Sequence, residues 1–70
     1  MTIVITPRDV HVYRTLAGSW RAYLKNYREH FSNEMLYNLN VWSINHDRAL
    51  DLFRERLIKY DIPFDWTDNK

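Results

Sequence analysis

Only one glycine, Gly18, and two prolines, Pro7 and Pro63, punctuate this chain of 70 residues. Reversals of direction lean on those two residue types, so a chain this poor in them has few cheap places to turn. That scarcity favours a few long helices over many short strands. The expected fold is therefore all-α: a small three-helix domain with a long first helix, a short N-terminal extended arm and an aromatic C-terminal tail. It forms a single helical domain over 1–70.

The helix starts are the sharpest local signals. Residues 2–6 are β-branched and alternate weakly, which reads as an extended arm or short edge strand. Thr6-Pro7-Arg8-Asp9 then offers a cap, a proline suited to the first helical position and an acid facing the positive end of the helix dipole. From there Val10, Tyr13, Leu16, Ala17, Trp20, Tyr23, Leu24, Tyr27 and Phe31 recur at steps of three and four. That spacing is helical periodicity, and it keeps its phase across Gly18. The spacing predicts one helix over 7–31, bent at Gly18.

Ser32 can cap a second, shorter helix carrying Met35, Leu36, Leu39 and Trp42, whose asparagines Asn33, Asn38 and Asn40 weaken its intrinsic propensity. Asn45 caps a third, whose stripe of Ala49, Leu50, Phe53, Leu57 and Ile58 reaches about Tyr60 before Ile62-Pro63 ends it. Phe64 and Trp66 sit two apart, as in an extended segment laid over apolar surface, and 67–70 follow as a polar tail.

Size bears on assembly. A domain this short buries only ~60% of the surface its unfolded chain exposes, so small domains often add disulfides, a metal or a second subunit. The chain has no cysteine. His11, His30 and His46 are the only candidate zinc ligands, none spaced four from another, so no metal and no cofactor is expected. A helix over 7–31 would run ~37 Å at 1.5 Å per residue. A compact domain of this length has a diameter of only ~28 Å. The overhang would need covering, and a homodimer covers it most simply. Trp20, Tyr23 and Tyr27, on the overhanging half, are the candidate self-association residues.

Charge is uneven. Residues 1–28 hold five Lys or Arg against one acid, whereas 29–70 hold five against eight. On a first helix, Arg14, Arg21, Lys25 and Arg28 fall at spacings of 7, 4 and 3, a single basic stripe and the candidate partner-binding surface. Such a stripe can dock an acidic protein surface, track a nucleic-acid backbone, or simply cover apolar neighbours with its long stems. The overall pI near 8.1 falls short of a strongly basic nucleic-acid binder. A helix-turn-helix over the last two helices is disfavoured, because Asp47, Asp51 and Glu55 would meet phosphates.

No catalytic constellation stands out. Glu29-His30 and His46-Asp47 are sequence neighbours that diverge on a helix. Asp61, Asp65 and Asp68 are scattered through a tail rather than set as an acid–base pair, and one glycine cannot build a phosphate loop. Nothing resembles a membrane span, and the apolar opening is too short for a signal peptide, so a cytoplasmic location is expected. The reading is a small non-enzymatic regulator or adaptor that binds another protein, as a homodimer. The alternative is a DNA- or RNA-binding regulator using the basic stripe.

Overall fold

A computed structural model describes residues 3–66 and departs from the all-α expectation at the first long segment. Where one helix over 7–31 is expected, Pro7–Asp9 forms a single 3₁₀ turn, followed by two strands, β1 (Val10–Arg14) and β2 (Trp20–Leu24). A second 3₁₀ turn, Arg28–His30, leads into the short helix α1 (Asn33–Asn38). Strand β3 (Val41–Ser43) and helix α2 (His46–Lys59) complete the chain. The three strands form an antiparallel sheet ordered β1-β2-β3. The protein is a mixed α/β domain, and the three-helix architecture is wrong.

The hairpin explains why. Thr15 N–H donates to Ser19 O at 2.7 Å, and Gly18 N–H donates to Thr15 O at 3.0 Å. This closes a three-residue loop, Leu16-Ala17-Gly18, in which Gly18 takes φ 90°. Three-residue hairpin loops commonly end in a left-handed residue, and glycine adopts that conformation without steric cost. The lone glycine is thus a chain reversal, not a bend in a helix. The flanking Val10-His11-Val12-Tyr13 and Trp20-Arg21-Ala22-Tyr23-Leu24 are rich in β-branched and aromatic residues, which suit a pleated surface better than a helix.

Strand alternation sends Val10, Val12, Ala22, Leu24 and Val41 to one side of the sheet, where α2 lies across them. From α2, Ala49, Phe53 and Leu57 recur every four residues and are fully buried, with Ile5 and Leu39 closing the core. Burying a Leu or Phe side chain contributes about 1.5–3 kcal/mol, so Phe53, Leu57, Leu39 and Leu24 carry much of the fold's stability.

Both α-helices begin at the residues read as caps. The Ser32 side chain accepts from Met35 N–H at 3.1 Å and the Asn45 side chain from Arg48 N–H at 2.7 Å. However, α1 stops at Asn38, and Trp42 stands in β3 rather than on a second helix. With β3 between α1 and α2, the helix-turn-helix arrangement is absent. Helix α2 ends in a left-handed Asp61 (φ 59°), with Ile62 N–H donating back to Leu57 O at 2.9 Å. That six-to-one bond is a Schellman closure.

The extended arm and tail meet. Ile5 and Phe64 form a parallel bridge, Ile5 N–H donates to Pro63 O, and Asp65 N–H donates to Ile5 O. Residues 67–70 lie outside the described residues. Asp9, the one buried charged residue among those described, joins three segments. Its carboxylate accepts from Thr6 N–H (2.9 Å), Thr6 Oγ1 (3.2 Å) and Asn26 Nδ2 (2.8 Å), while its carbonyl accepts from Lys25 N–H.

With no helix over 7–31 there is no overhang, and that reason for a second copy goes with it. Among the described residues no helix is long and apolar enough to cross a membrane.

Candidate functional site

The side of the sheet away from α2 is the candidate site. A half-buried sheet ordinarily fills its outer positions with polar residues. Here alternation places His11 and Tyr13 from β1, Arg21 and Tyr23 from β2, and Trp42 from β3 on the open side. The register sets Tyr13 opposite Arg21, Arg21 opposite Trp42, and His11 opposite Tyr23.

The Arg21 guanidinium lies at the centre of this cluster. Its carbon sits 5.0 Å from the Tyr23 ring centroid, 5.6 Å from Trp42 and 5.8 Å from Tyr13. Its Nη1 donates to Tyr13 Oη at 2.7 Å. Its Nε is buried and has no hydrogen-bond partner among the described residues. Around it, His11 stacks on Tyr13 at 5.5 Å and meets Tyr23 edge-on at 5.4 Å, while Tyr13 and Tyr23 meet edge-on at 6.0 Å. Trp42 remains 53% exposed at the rim.

A groove of about 360 Å³ opens beside this cluster, where β2 meets α1. Arg21, Tyr23 and Leu24 form its floor, Arg28 one wall, and Asn33, Leu36, Tyr37 and Asn40 the other. The last four recur at three- and four-residue steps, the signature of one face of α1 continuing past its end. Among the described residues the lining holds two arginines, two asparagines and two tyrosines, but no carboxylate. Glu34 is on α1 but does not line the groove. Asp47, Asp51 and Glu55 are on α2, the layer beneath the sheet.

The basic stripe read from the sequence does not lie on a helix. Arg21 and Arg28 share the groove, but Arg14 alternates onto the α2 side at the hairpin end of β1, and Lys25 is exposed just beyond β2. The aromatic trio is likewise dispersed. Trp20 points to the α2 side and meets the His46 ring at 5.6 Å, Tyr23 belongs to the open face, and Tyr27 occupies a left-handed turn (φ 63°) against His30. Sequence reasoning missed His11, Tyr13, Trp42 and Tyr37 as site residues. The hairpin register brings His11 and Tyr13 to Arg21, and the β2–β3 pairing adds Trp42; the signal for the hairpin was the alternation flanking the Gly18 loop.

The groups gathered here are of the kinds used in recognition. Rings offer stacking surface, two guanidinium groups offer positive charge, and the asparagine amides offer paired donors and acceptors. The described residues contain no group of three or more His, Asp or Glu able to hold a metal. The His46–Asp47 contact at 3.4 Å is solvent-exposed at the first turn of α2. No protein-family model, curated protein or solved structure matches the chain.

Proposed function

We propose that the protein is a non-enzymatic binding module that takes single-stranded nucleic acid on the open face of its sheet. The observation that carries this reading is the pairing of a ring-lined sheet face with a carboxylate-free groove bearing Arg21 and Arg28. Base stacking on aromatic side chains contributes about 1–3 kcal/mol per base and tolerates any base, while arginines hold the backbone. Tyr23, Tyr37 and Trp42 are the stacking surfaces, Arg21 and Arg28 the phosphate contacts, and Asn33 and Asn40 the amides within reach of base edges. A duplex hides its base faces and fits this surface poorly.

The test is fluorescence anisotropy with labelled oligonucleotides of about ten bases, single-stranded and duplex, across a salt series. Two phosphate contacts predict a shallow dependence, with a log–log slope of about −1.4 for single strands. Single strands should bind at least tenfold tighter than the duplex. Absence of binding to single strands at low salt, or equal binding of the duplex, would refute the proposal.

A second reading is a protein partner, favoured by the exposure of Trp42 (53%) and Tyr37 (75%) near Arg21. Tyrosine, tryptophan and arginine are the residues that most often anchor protein interfaces. Loss of partner capture in Trp42→Ala, with no nucleic acid bound by the wild type, would favour it.

A further inference from the structure

The hydrogen bonds at the ends of the hairpin set the phase of β1. Lys25 N–H donates to Asp9 O and Thr15 N–H to Ser19 O, so the odd residues of β1 bond to β2. Hydrogen-bonded and non-hydrogen-bonded pairs alternate along an antiparallel ladder. The even residues Val10, Val12 and Arg14 therefore turn their backbone groups away from β2. Val10 N–H is used internally, donating to Pro7 O. The N–H and C=O groups of Val12 and Arg14 face outward from the edge of the sheet, since β1 is its first strand. Among the described residues nothing bonds to them.

Proteins usually blunt such an edge with a proline, a lysine, a bulge or a covering segment. From Val10 to Arg14 there is no proline or lysine, Arg14 at the hairpin end is the one Lys, Arg, Asp or Glu, and the register with β2 is continuous, without a bulge.

We propose that β1 pairs antiparallel with β1 of a second copy of this chain, with Val12 on the two-fold axis. The register is self-complementary. Val12 exchanges both backbone hydrogen bonds with Val12 of the partner subunit, and Arg14 N–H donates to the carbonyl of the partner's Val10. On the open side, His11 falls opposite the partner's Tyr13, and Tyr13 opposite the partner's His11. These two ring types already stack at 5.5 Å within one chain. Aromatic pairs opposite one another are favourable cross-strand neighbours. On the α2 side, Arg14 falls opposite the partner's Val10, so no like charges are directly opposed.

The two-fold runs normal to the sheet, so both open faces point the same way and both copies of α2 lie beneath. The result is a six-stranded antiparallel sheet with one continuous row of rings. The pairing uses the strand edge and not the groove, so it stands whatever the open face binds.

The test is sedimentation equilibrium over a range of protein concentrations, paired with residue-resolved amide hydrogen exchange. The wild type should be a dimer in which the Val12 and Arg14 amides exchange at least tenfold more slowly than at dilutions that favour monomer. Arg14→Pro removes an outward N–H and no bond to β2, a substitution that edge strands tolerate. It should keep the circular dichroism of the wild type and weaken dimerisation at least tenfold. A wild type that is monomeric throughout would overturn the pairing. So would a dimer whose Val12 and Arg14 amides exchange freely, because another surface would then hold it. The exchange measurement needs no variant, so it decides the matter even if Arg14→Pro does not fold.

Discussion

Replacing Arg21 with methionine separates binding from stability, because the stabilising and destabilising contributions of this side chain nearly offset. Its guanidinium lies within 6 Å of three ring centroids. Contacts of that kind contribute about 0.5 kcal/mol each at partly exposed sites, so about 1.5 kcal/mol together. The hydrogen bond to Tyr13 Oη adds about 1 kcal/mol. Against this, the buried Nε has no partner, and an unsatisfied buried donor costs about 1–3 kcal/mol. Methionine keeps the apolar stem, which packs among the same rings. The net loss should be about 0.5 kcal/mol, a fall in Tm of roughly 2–4 °C for a domain of this size. Binding of single strands should nonetheless weaken tenfold or more, since one of the two groove cations is gone. Urea denaturation supplies the first quantity and oligonucleotide anisotropy the second. A loss of stability above about 3 kcal/mol would show that Arg21 is chiefly structural. Unchanged affinity would remove it from the site.

Two further outcomes follow from the fold. Asp9→Ala should cost about 1–3 kcal/mol in urea denaturation, because it removes the carboxylate that accepts from the half-buried Thr6 N–H and from the Asn26 amide. Asp9→Asn should recover only part of that loss, since its NH₂ must face one of those donors. Gly18→Ala should cost about 1–2 kcal/mol from backbone strain alone, as a Cβ there meets nothing within 4 Å. Gly18→Asn should cost less, and equal Tm values for the two variants would argue against the left-handed turn.

Helix α2 was legible because its evidence is local. Asn45 caps it, and Ala49, Phe53 and Leu57 mark one face; its end is set by the left-handed Asp61, just ahead of the expected stop at Ile62-Pro63. The Ser32 cap was legible for the same reason. The hairpin was obscured by the rings on its own open face. In an ordinary half-buried strand polar residues separate the buried ones, and period two stands out. Here Tyr13 and Tyr23 occupy the open positions, so joining them to Val10, Trp20 and Leu24 produces steps of three and four. Both periods fit the same residues. Phase across Gly18 then favoured a continuous helix, although a three-residue loop between β-favouring segments fits as well. Arg21, Arg28 and Tyr23 could be singled out as interaction residues by type alone. Their company could not, because His11 and Trp42 join Arg21 only through pairings across three strands.

The same face that misled the periodicity argument does not fill the core. The core lies entirely on the α2 side, and Ile5, Leu24, Phe53 and Leu57 would be as well buried if the open positions carried threonine or glutamine. A second apolar face on so small a domain exposes it to nonspecific association, and soluble proteins seldom leave such patches without use. Arg21 reduces that exposure by lying among the rings, but at the expense of a buried Nε without a partner. Polar residues would have avoided both costs. A local rule broken twice at one place is what the binding role we propose would account for. That role asks for flat surface and positive charge side by side, which an extended strand of bases and phosphates would match.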